Sequence, residues 1–210
     1  MAAVVMDGFV FGARIKLKHV NTGLYLHSHS TKYPSGSKQQ EVTCFKRVPE
    51  GNDDDWFVIA PPHGSDNDPV AGTCPFQPRP VCSGSKIRLV HWKTGNCLHS
   101  HDKPALVAQG QFEVTCYKNL GSGNLDDDWL VHFDQGAAGE IRFEHVRFKG
   151  YLHSHALNYP SGSKQQEVTR FPGKDGNDLW TVANVVLPPA SRLGFVFGAR
   201  IKLKHVNTGL

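Results

Sequence analysis

The sequence predicts an all-β fold assembled from three copies of one unit, and three observations lead to this prediction. The tetrapeptide Leu-His-Ser-His occurs at residues 26–29, 98–101 and 152–155. Glu-Val-Thr begins twelve residues after the second histidine of each copy, at residues 41–43, 113–115 and 167–169. Alternating strand patterns surround these segments, and no stretch shows a convincing helical period. A polar segment that recurs at fixed internal spacing indicates a repeated structural unit.

Each unit opens with a strand in which apolar and charged residues alternate, at residues 14–19, 86–91 and 140–145. The apolar residues and the closing histidine have the same parity, so they share one face, and the other face is mainly charged. A turn follows at Thr22-Gly23, Thr94-Gly95 and Lys149-Gly150. Glycine permits the positive φ that a tight hairpin needs, so these turns predict hairpins.

The remainder of each unit contains three further strands. The second strand carries Leu-His-Ser-His, and a loop rich in Gly, Ser and Pro leads to the third strand, at 40–45, 112–117 and 166–171. An acidic turn and a strand with one tryptophan end the unit, at 53–58, 126–131 and 177–182. The acidic turns lack the ordered ligand spacing of a calcium loop, so we interpret them as solvated turns.

Three four-stranded repeats with pseudo-three-fold symmetry predict a β-trefoil, in which six strands form a barrel and three hairpins cap one end. Closure of the barrel leaves few exposed strand edges. We assign residues 12–193 to this domain, with repeats at about 12–60, 84–132 and 138–183. Residues 61–83, dense in Pro, Gly and Asp, form an insertion loop. One domain is favoured over two, because a split at the insertion would leave one repeat unable to bury its faces.

Two cysteines and a duplicated tail give further expectations. Cys74 and Cys82 bracket a short proline-containing loop, so we predict a disulfide between them in an oxidising compartment. Residues 194–210 repeat residues 8–24 without a difference. The first and last strands of a closed trefoil are neighbours, so the copy competes with its original for one position. We predict that this surplus strand is dispensable or exchanges with residues 14–20, including between chains.

Composition excludes several classes of function. The formal charge is +4 and the basic residues are dispersed, which argues against nucleic-acid binding. No apolar run approaches the length of a membrane span, and the apolar run within Met1–Met6 is too short for a secretory signal. No nucleophile elbow or phosphate loop is present, so we predict no enzymatic activity and no cofactor.

Ten of the twelve histidines occupy equivalent positions in the repeats or in the duplicated tail. We interpret His19, His91 and His145, at the ends of apolar strand faces, as buried imidazoles that hydrogen-bond a neighbouring loop. The two histidines of each Leu-His-Ser-His segment project the same way. No third ligand recurs beside them, so we predict no metal site. They either orient the following loop or present imidazoles to a partner.

The loop after this strand is identical in units one and three, from Tyr33 to Thr43 and from Tyr159 to Thr169, whereas Ala105–Ala108 replace Tyr-Pro-Ser-Gly in unit two. Two polar loops and one apolar loop indicate two surface pockets and one degenerate pocket. An aromatic ring beside amides, hydroxyls and imidazoles can hold a sugar or an extended peptide. A merely soluble loop is the alternative. The predicted ligand-binding residues are His27, His29, Tyr33, Gln39 and Gln40 in unit one, and His153, His155, Tyr159, Gln165 and Gln166 in unit three.

These motifs resemble the MIR domain. The pattern is Leu-His-Ser-His, Tyr-Pro, Gly-Ser-x-Gln-Gln-x-Val-Thr-Cys and Asp-Asp-Trp, and it covers Gly12 to about Val186. MIR domains occur in protein O-mannosyltransferases, in inositol trisphosphate and ryanodine receptors, and in stromal cell-derived factor 2 proteins. The insertion from Cys74 to Gly84 is most similar to the last group. That resemblance implies a β-trefoil without catalysis in the endoplasmic reticulum lumen. It also implies protein quality control with a heat-shock chaperone and its J-domain partner, through binding of glycan or unfolded client polypeptide. The alternative is an accessory substrate-recognition domain of a mannosyltransferase.

Overall fold

The computed structural model describes residues 5–47, 51–61, 79–119, 125–134 and 139–188. Within these residues the chain forms fourteen β-strands and two short 3-10 helices. The strands are β1 Val5–Val10, β2 Arg14–His19, β3 Tyr25–Lys32, β4 Gln40–Phe45, β5 Trp56–Ile59, β6 Pro80–Cys82 and β7 Lys86–His91. They continue with β8 Asn96–Pro104, β9 Phe112–Asn119, β10 Trp129–Phe133, β11 Glu140–His145, β12 Tyr151–Asn158, β13 Gln166–Phe171 and β14 Trp180–Val186. The 3-10 helices are Leu125–Asp127 and Gly176–Asp178.

Six strands close into a barrel. β2 pairs with β5, β5 with β7, β7 with β10, β10 with β11, β11 with β14, and β14 with β2, all antiparallel. β1 and β6 form a separate two-stranded sheet. The prediction of an all-β chain with a closed, barrel-like sheet is confirmed.

The remaining strands form three hairpins, β3–β4, β8–β9 and β12–β13. Their second strands also pair with one another, β4 with β9, β9 with β13 and β13 with β4. The three hairpins therefore meet around a common centre. The loops that join the strands of each hairpin lie where these pairings converge.

The tryptophans and the strand-end turns agree with the sequence. Trp56, Trp129 and Trp180 are fully buried in the shared core. Each indole Nε1 donates to the carbonyl of the leucine in its own Leu-His-Ser-His segment, at 3.0–3.1 Å: Leu26, Leu98 and Leu152. The turn glycines have positive φ, as predicted: +70° at Gly23, +70° at Gly95 and +74° at Gly150.

Charged residues of two barrel strands are buried. Lys16 is 7% exposed, and its Nζ lies 2.5 Å from an Asp54 carboxylate oxygen and 2.9 Å from one of Asp55. Arg88 is fully buried, and its Nε donates to Asp128 at 2.5 Å. The interpretation of the acidic turns as solvated is therefore wrong. The first two turns fold over the charged face of a barrel strand, where buried charges require a partner of opposite sign, and in the third turn Asp178 pairs with His153.

Several predictions lie outside the described residues. These are most of the insertion loop, with Cys74, and the duplicated tail. Cys82 is a buried free thiol in the structure. The Cys74–Cys82 disulfide and the domain bounds stay predictions. No helix among the described residues is long and apolar enough to cross a membrane.

Candidate functional site

The loops that join the strands of the three hairpins share a closing hydrogen bond and a left-handed sixth residue. We call them cap loop 1 (residues 33–39), cap loop 2 (105–111) and cap loop 3 (159–165). The first residue of each loop donates its backbone N–H to the carbonyl of the last residue at 2.9 Å in all three. The sixth residue is left-handed in each: Lys38 at φ +58°, Gly110 at +74° and Lys164 at +58°. Cap loop 2 differs at its fourth residue: Gly36 and Gly162 are left-handed, at φ +63° and +66°, whereas Ala108 is not.

Each cap loop binds the glutamate of a different unit through backbone N–H groups. Ser37 N lies 3.2 Å from Glu113 Oε2, Val107 N lies 3.0 Å from Glu167 Oε1, and Ser163 N lies 3.0 Å from Glu41 Oε1. The three glutamates are at most 2% exposed. Each Glu-Val-Thr segment therefore serves as the acceptor for a neighbouring unit's loop, and the three contacts form a cycle.

The final glutamine of each cap loop makes a second contact in the same direction. Thr115 Oγ1 donates to Gln39 Oε1 at 2.7 Å, and Thr43 Oγ1 donates to Gln165 Oε1 at 2.5 Å. Thr169 donates to Gln111 in the same way. Of the predicted binding residues, Gln39 and Gln165 thus have their carbonyl oxygens in contacts between units. Their side-chain nitrogens form no hydrogen bond within the described residues.

Gln40 and Gln166, also predicted as binding residues, are buried where the second strands of two hairpins pair. We call these pairings joints. Gln40 Nε2 donates to Ser28 Oγ at 2.7 Å and to Thr94 Oγ1 at 3.1 Å, and its carbonyl oxygen accepts from Asn96 at 2.8 Å. Gln166 Nε2 repeats the serine contact with Ser154 at 2.7 Å. Both amides are therefore largely engaged within the protein.

The prediction that Tyr33 and Tyr159 are surface rings beside polar groups is wrong. They are 2% and 5% exposed, and their hydroxyls lie 2.9 Å apart at the centre of the three hairpins. Tyr33 also donates to the Val114 carbonyl at 2.8 Å. A tyrosine buries an apolar ring most readily where its hydroxyl finds an acceptor, and the hairpin centre supplies backbone carbonyls. Burial raises the pKa of both phenols.

The strand-end histidines are buried and hydrogen-bonded, which confirms the structural interpretation. His19, His91 and His145 are fully buried, and their Nε2 atoms lie 2.9–3.1 Å from backbone carbonyls of acidic turns. These carbonyls belong to Asn177, Asp53 and Asp126. Burial lowers the pKa of His145 to about 4, although its bond to Asp126 acts in the opposite direction.

The two histidines of each Leu-His-Ser-His segment do project the same way, but they have different environments. The first is buried, with His27 at 6% and His153 at 2% exposure, and the ring of the second lies against it. His29 Nε2 is 3.6 Å from Glu41, and His155 Nδ1 is 2.9 Å from His153 Nε2. Burial, reinforced by the charge of His29, lowers the pKa of His27 to about 4. These imidazoles support the cap and leave little surface for a ligand.

One cluster has the composition of a metal site. His153 Nδ1, Asp175 and Asp178 each offer a ligand atom, all within 4.8 Å of one another. His153 Nδ1 lies 2.9 Å from Asp178 Oδ1. The two carboxylates also accept backbone N–H groups at the start of the 3-10 helix, in a capping box. Hydrogen bonding explains the cluster, and we assign no metal to it.

A surface groove of about 520 Å³ lies beside cap loop 1. We call it the polar groove. From unit one it is lined by Ser30, Lys32, Ser37, Lys38, Gln39 and Gln40. From unit two it is lined by Thr94, Asn96, Cys116, Tyr117 and Lys118. Tyr117 is 38% exposed and supplies the aromatic ring that the sequence assigned to Tyr33. Only Gln39 and Gln40 of the predicted binding residues line this groove.

Sequence reasoning missed Asn96, Tyr117 and Lys118 because it searched for a site within one repeat. The groove lies between two units, since Gln40 is the strand partner of Cys116. The sequence did contain a signal for this site: the polar pair Tyr117-Lys118 directly follows Glu-Val-Thr-Cys in unit two. Phe45-Lys46 occupy that position in unit one, and Phe171-Pro172 in unit three.

Comparison with known proteins agrees with this architecture. A model of the MIR domain matches residues 68–149. A stromal cell-derived factor 2-like protein from Arabidopsis thaliana is 36% identical over 185 residues, which cover 85% of this chain and 80% of that protein. The crystal structure of the Arabidopsis SDF2-like protein superposes with a TM-score of 0.71 at 32% identity, covering 89% of this chain and 98% of that one.

Two further similarities are to a longer enzyme and to a protein of low sequence identity. Dolichyl-phosphate-mannose–protein mannosyltransferase 1 of Saccharomyces cerevisiae is 35% identical over 231 residues, which cover 95% of this chain. The match spans only 27% of that enzyme's length. A β-trefoil protein named BEL shares the fold at 16% identity, with a TM-score of 0.56. The chain belongs to the MIR domain family and is similar along most of its length to stromal cell-derived factor 2-like proteins.

Proposed function

We propose that this chain is a non-catalytic binding module of three pseudo-equivalent four-stranded repeats that takes glycan or unfolded polypeptide at the cap-loop surface. We further propose that it acts in the endoplasmic reticulum lumen, in protein quality control with a heat-shock chaperone and its J-domain partner. Similarity to stromal cell-derived factor 2-like proteins over 85% of the chain supports this role. The mannosyltransferase match covers about a quarter of the enzyme, which supports a binding rather than a catalytic role.

The polar groove is the observation that carries the proposal. It combines an exposed Tyr117 ring with hydroxyl, amide and ammonium groups in a single concave surface. A sugar packs its apolar face on an aromatic ring and directs its hydroxyls to such groups. Gln39 is held through its carbonyl oxygen, and its side-chain nitrogen remains available to donate to a ligand. Ordering of groups before binding lowers the entropic cost of association.

The sequence repeat extends the proposal to a second surface, between cap loop 3 and unit one. There Gln165 and Ser163 take the positions of Gln39 and Ser37, and Phe45 takes the position of Tyr117. Thr43 holds Gln165 as Thr115 holds Gln39. We therefore retain Gln39 and Gln165 as binding residues. His27, Tyr33, His153 and Tyr159 become residues that support the cap.

The alternative function is acceptor recognition within a protein O-mannosyltransferase. The match of 95% of this chain to a segment of the yeast mannosyltransferase favours it. Both functions use the same kind of surface, so they differ in the partner that carries the module. A pull-down from microsomal extract separates them: co-purified lumenal chaperone supports quality control, and co-purified mannosyltransferase supports the alternative.

A glycan array followed by titration tests the groove itself. Replacing Tyr117 by Ala removes the ring and should weaken sugar binding roughly 2- to 10-fold, from a stacking contribution of about 0.5–1.5 kcal/mol. Leu125→Ala is the control, because Leu125 is 51% exposed and does not line the groove. Equal affinities of both variants and the wild-type chain would contradict the assignment of the groove. If the chain retains neither a glycan nor a client polypeptide, the binding function is wrong.

A further inference from the structure

The polar groove is lined by more lysines than the equivalent surfaces beside the other two cap loops. Lys32, Lys38 and Lys118 line it, and all three are exposed. No aspartate or glutamate is among its lining residues, and no salt bridge within the described part of the chain involves these three lysines. The whole chain is close to balanced, with 23 basic and 19 acidic residues. Three unneutralised cations in one groove therefore form a local positive field, which concave surfaces strengthen.

Two of these lysines occupy backbone positions that glycine would occupy without strain. Lys38 has φ +58° and Lys118 has φ +53°. The equivalent of Lys38 in cap loop 2 is Gly110, at φ +74°. A left-handed conformation is unfavourable for a residue with a Cβ, and such residues concentrate where a side chain has a use. The lysine side chains are thus maintained in the groove against a local backbone cost.

The three equivalent surfaces differ in charge in a graded way. The positions of Lys32, Lys38 and Lys118 are occupied by Asn158, Lys164 and Lys46 beside cap loop 3, and by Pro104, Gly110 and Pro172 beside cap loop 2. The three surfaces therefore carry three, two and no lysines at these positions. All three loops are closed by the same hydrogen bond between their first and last residues, so the lysines are not required for that closure. At these positions the polar groove carries the most lysines of the three surfaces.

From these observations we propose that the polar groove selects a sugar that bears a negatively charged group, such as a phosphate. This inference deepens the proposed function and rests on it. The Tyr117 ring, which has Lys118 Nζ 5.3 Å from its centroid, and the Gln39 amide supply contacts to the neutral part of the sugar. The lysine ammonium groups supply charge-assisted contacts to the anion, and Ser30 and Ser37 supply hydroxyl donors.

Titration with matched probes tests the proposal. The probes are mannose, mannose 6-phosphate, inorganic phosphate and a short polyglutamate peptide. We expect mannose 6-phosphate to bind about tenfold more tightly than mannose at 50 mM salt, from three exposed cations that each contribute modestly. The preference should fall several-fold at 500 mM salt, because screening shortens the range of exposed charges.

Variants localise the preference. Lys32→Asn introduces the residue found beside cap loop 3, and Lys38→Gly introduces the residue found in cap loop 2. Together they should reduce the preference for mannose 6-phosphate to about twofold or less, and should weaken mannose binding by a smaller factor than binding of mannose 6-phosphate. Lys164→Gly, the matched change in cap loop 3, should lower the preference less than Lys38→Gly does, because it removes a lysine from the surface that carries fewer of them. Melting temperatures of all variants establish that each is folded, and Lys32→Asn alone tests the charge without altering the loop backbone.

The outcomes distinguish failure of the charge preference from failure of the proposed binding function. Mannose binding with no preference for the phosphorylated sugar overturns this inference and leaves the proposed function standing. The same holds if the Lys32/Lys38 variant keeps the preference. Phosphate binding as tight as that of mannose 6-phosphate, or tighter binding of polyglutamate, overturns the assignment of a sugar. If neither sugar binds, the glycan function of the groove is wrong, and the inference falls with it.

Discussion

Gly36→Ala tests whether the contact between cap loop 1 and Glu113 stabilises the fold. Gly36 has φ +63°, and a Cβ built on it would lie 1.8 Å from Glu113 Oε1 and 2.9 Å from the Cδ atom. The carboxylate would have to leave its position, where it accepts the Ser37 N–H and lies 3.2 Å from His101 Nε2. Glu113 is 2% exposed, so its displaced charge would lack solvent.

Two terms contribute to the expected loss of stability. A left-handed alanine costs about 1 kcal/mol relative to glycine. Loss of hydrogen bonds to a buried charged group costs about 2 kcal/mol more. Gly95→Ala is the control, since Gly95 has φ +70° and its added Cβ meets no atom within 4 Å. The control should lose only the first term.

Urea unfolding and thermal melting of both variants measure the difference. Gly36→Ala should melt roughly 4–8 °C below Gly95→Ala, from about 2 kcal/mol in a domain of this size. Equal destabilisation of the two variants would mean that the Glu113 contact contributes nothing beyond the backbone conformation. That result would refute the role assigned to the glutamates.

Three further predictions concern acid stability, one joint between units and the tail. Stability should fall as pH falls from 6.5 to 4. His27 and His145 have pKa values lowered to about 4, so the unfolded chain binds protons in that range that the folded chain does not. Each histidine should lower the free energy of unfolding at pH 4 by about 3 kcal/mol. Urea midpoints that stay constant from pH 7 to 4.5 would contradict this prediction. Phe112→Gln and Arg170→Cys should each lower the free energy of unfolding by about 1–2 kcal/mol. The double variant should be about 1 kcal/mol more stable than the sum of the two losses predicts, because it restores the pair found at the other joints. Strict additivity of the two losses would disprove the coupling. Removal of the residues after Leu193 should leave the melting temperature unchanged, and a shortened chain that fails to fold would show that the tail is essential.

The Phe112–Arg170 pair takes the place of a glutamine–cysteine pair that occurs at the other two joints. At the other two joints a glutamine faces a cysteine across the strands, and the glutamine amide donates to a serine hydroxyl. At the third joint Arg170 faces Phe112, its guanidinium lies 4.2 Å from the ring centroid, and its Nε donates to Ser100 at 3.1 Å. The serine keeps a donor, although the donor now comes from the opposite strand.

Local patterns predicted the strands and the core well. Strand parity is a property of neighbouring residues, so it correctly placed Trp56 inside the barrel and His19 on a buried face. The turn glycines followed from the same local logic, because a positive φ is a requirement of the turn itself. These features need no knowledge of other units.

The errors arose where a side chain's surroundings come from another unit. Tyr33 lies beside Pro, Ser and Gly in sequence, which is typical of a surface loop, yet its hydroxyl donates to Val114 in unit two. Lys16 is paired with acidic groups 38 or more residues away, so nothing adjacent in sequence marks it as buried. The polar groove was found only in part for the same reason, since Tyr117 and Lys118 belong to the neighbouring repeat.

The Phe112–Arg170 joint helps to determine the order in which the three similar hairpins assemble. Cap loops 1 and 3 are identical in sequence, so during folding either hairpin could be accepted at a position meant for the other. A hairpin placed out of order would bring the Arg170 guanidinium against a glutamine and leave the Phe112 ring facing a cysteine. One exceptional pair among three therefore distinguishes the native arrangement from one in which two hairpins have exchanged places, and the difference is confined to contacts between strands.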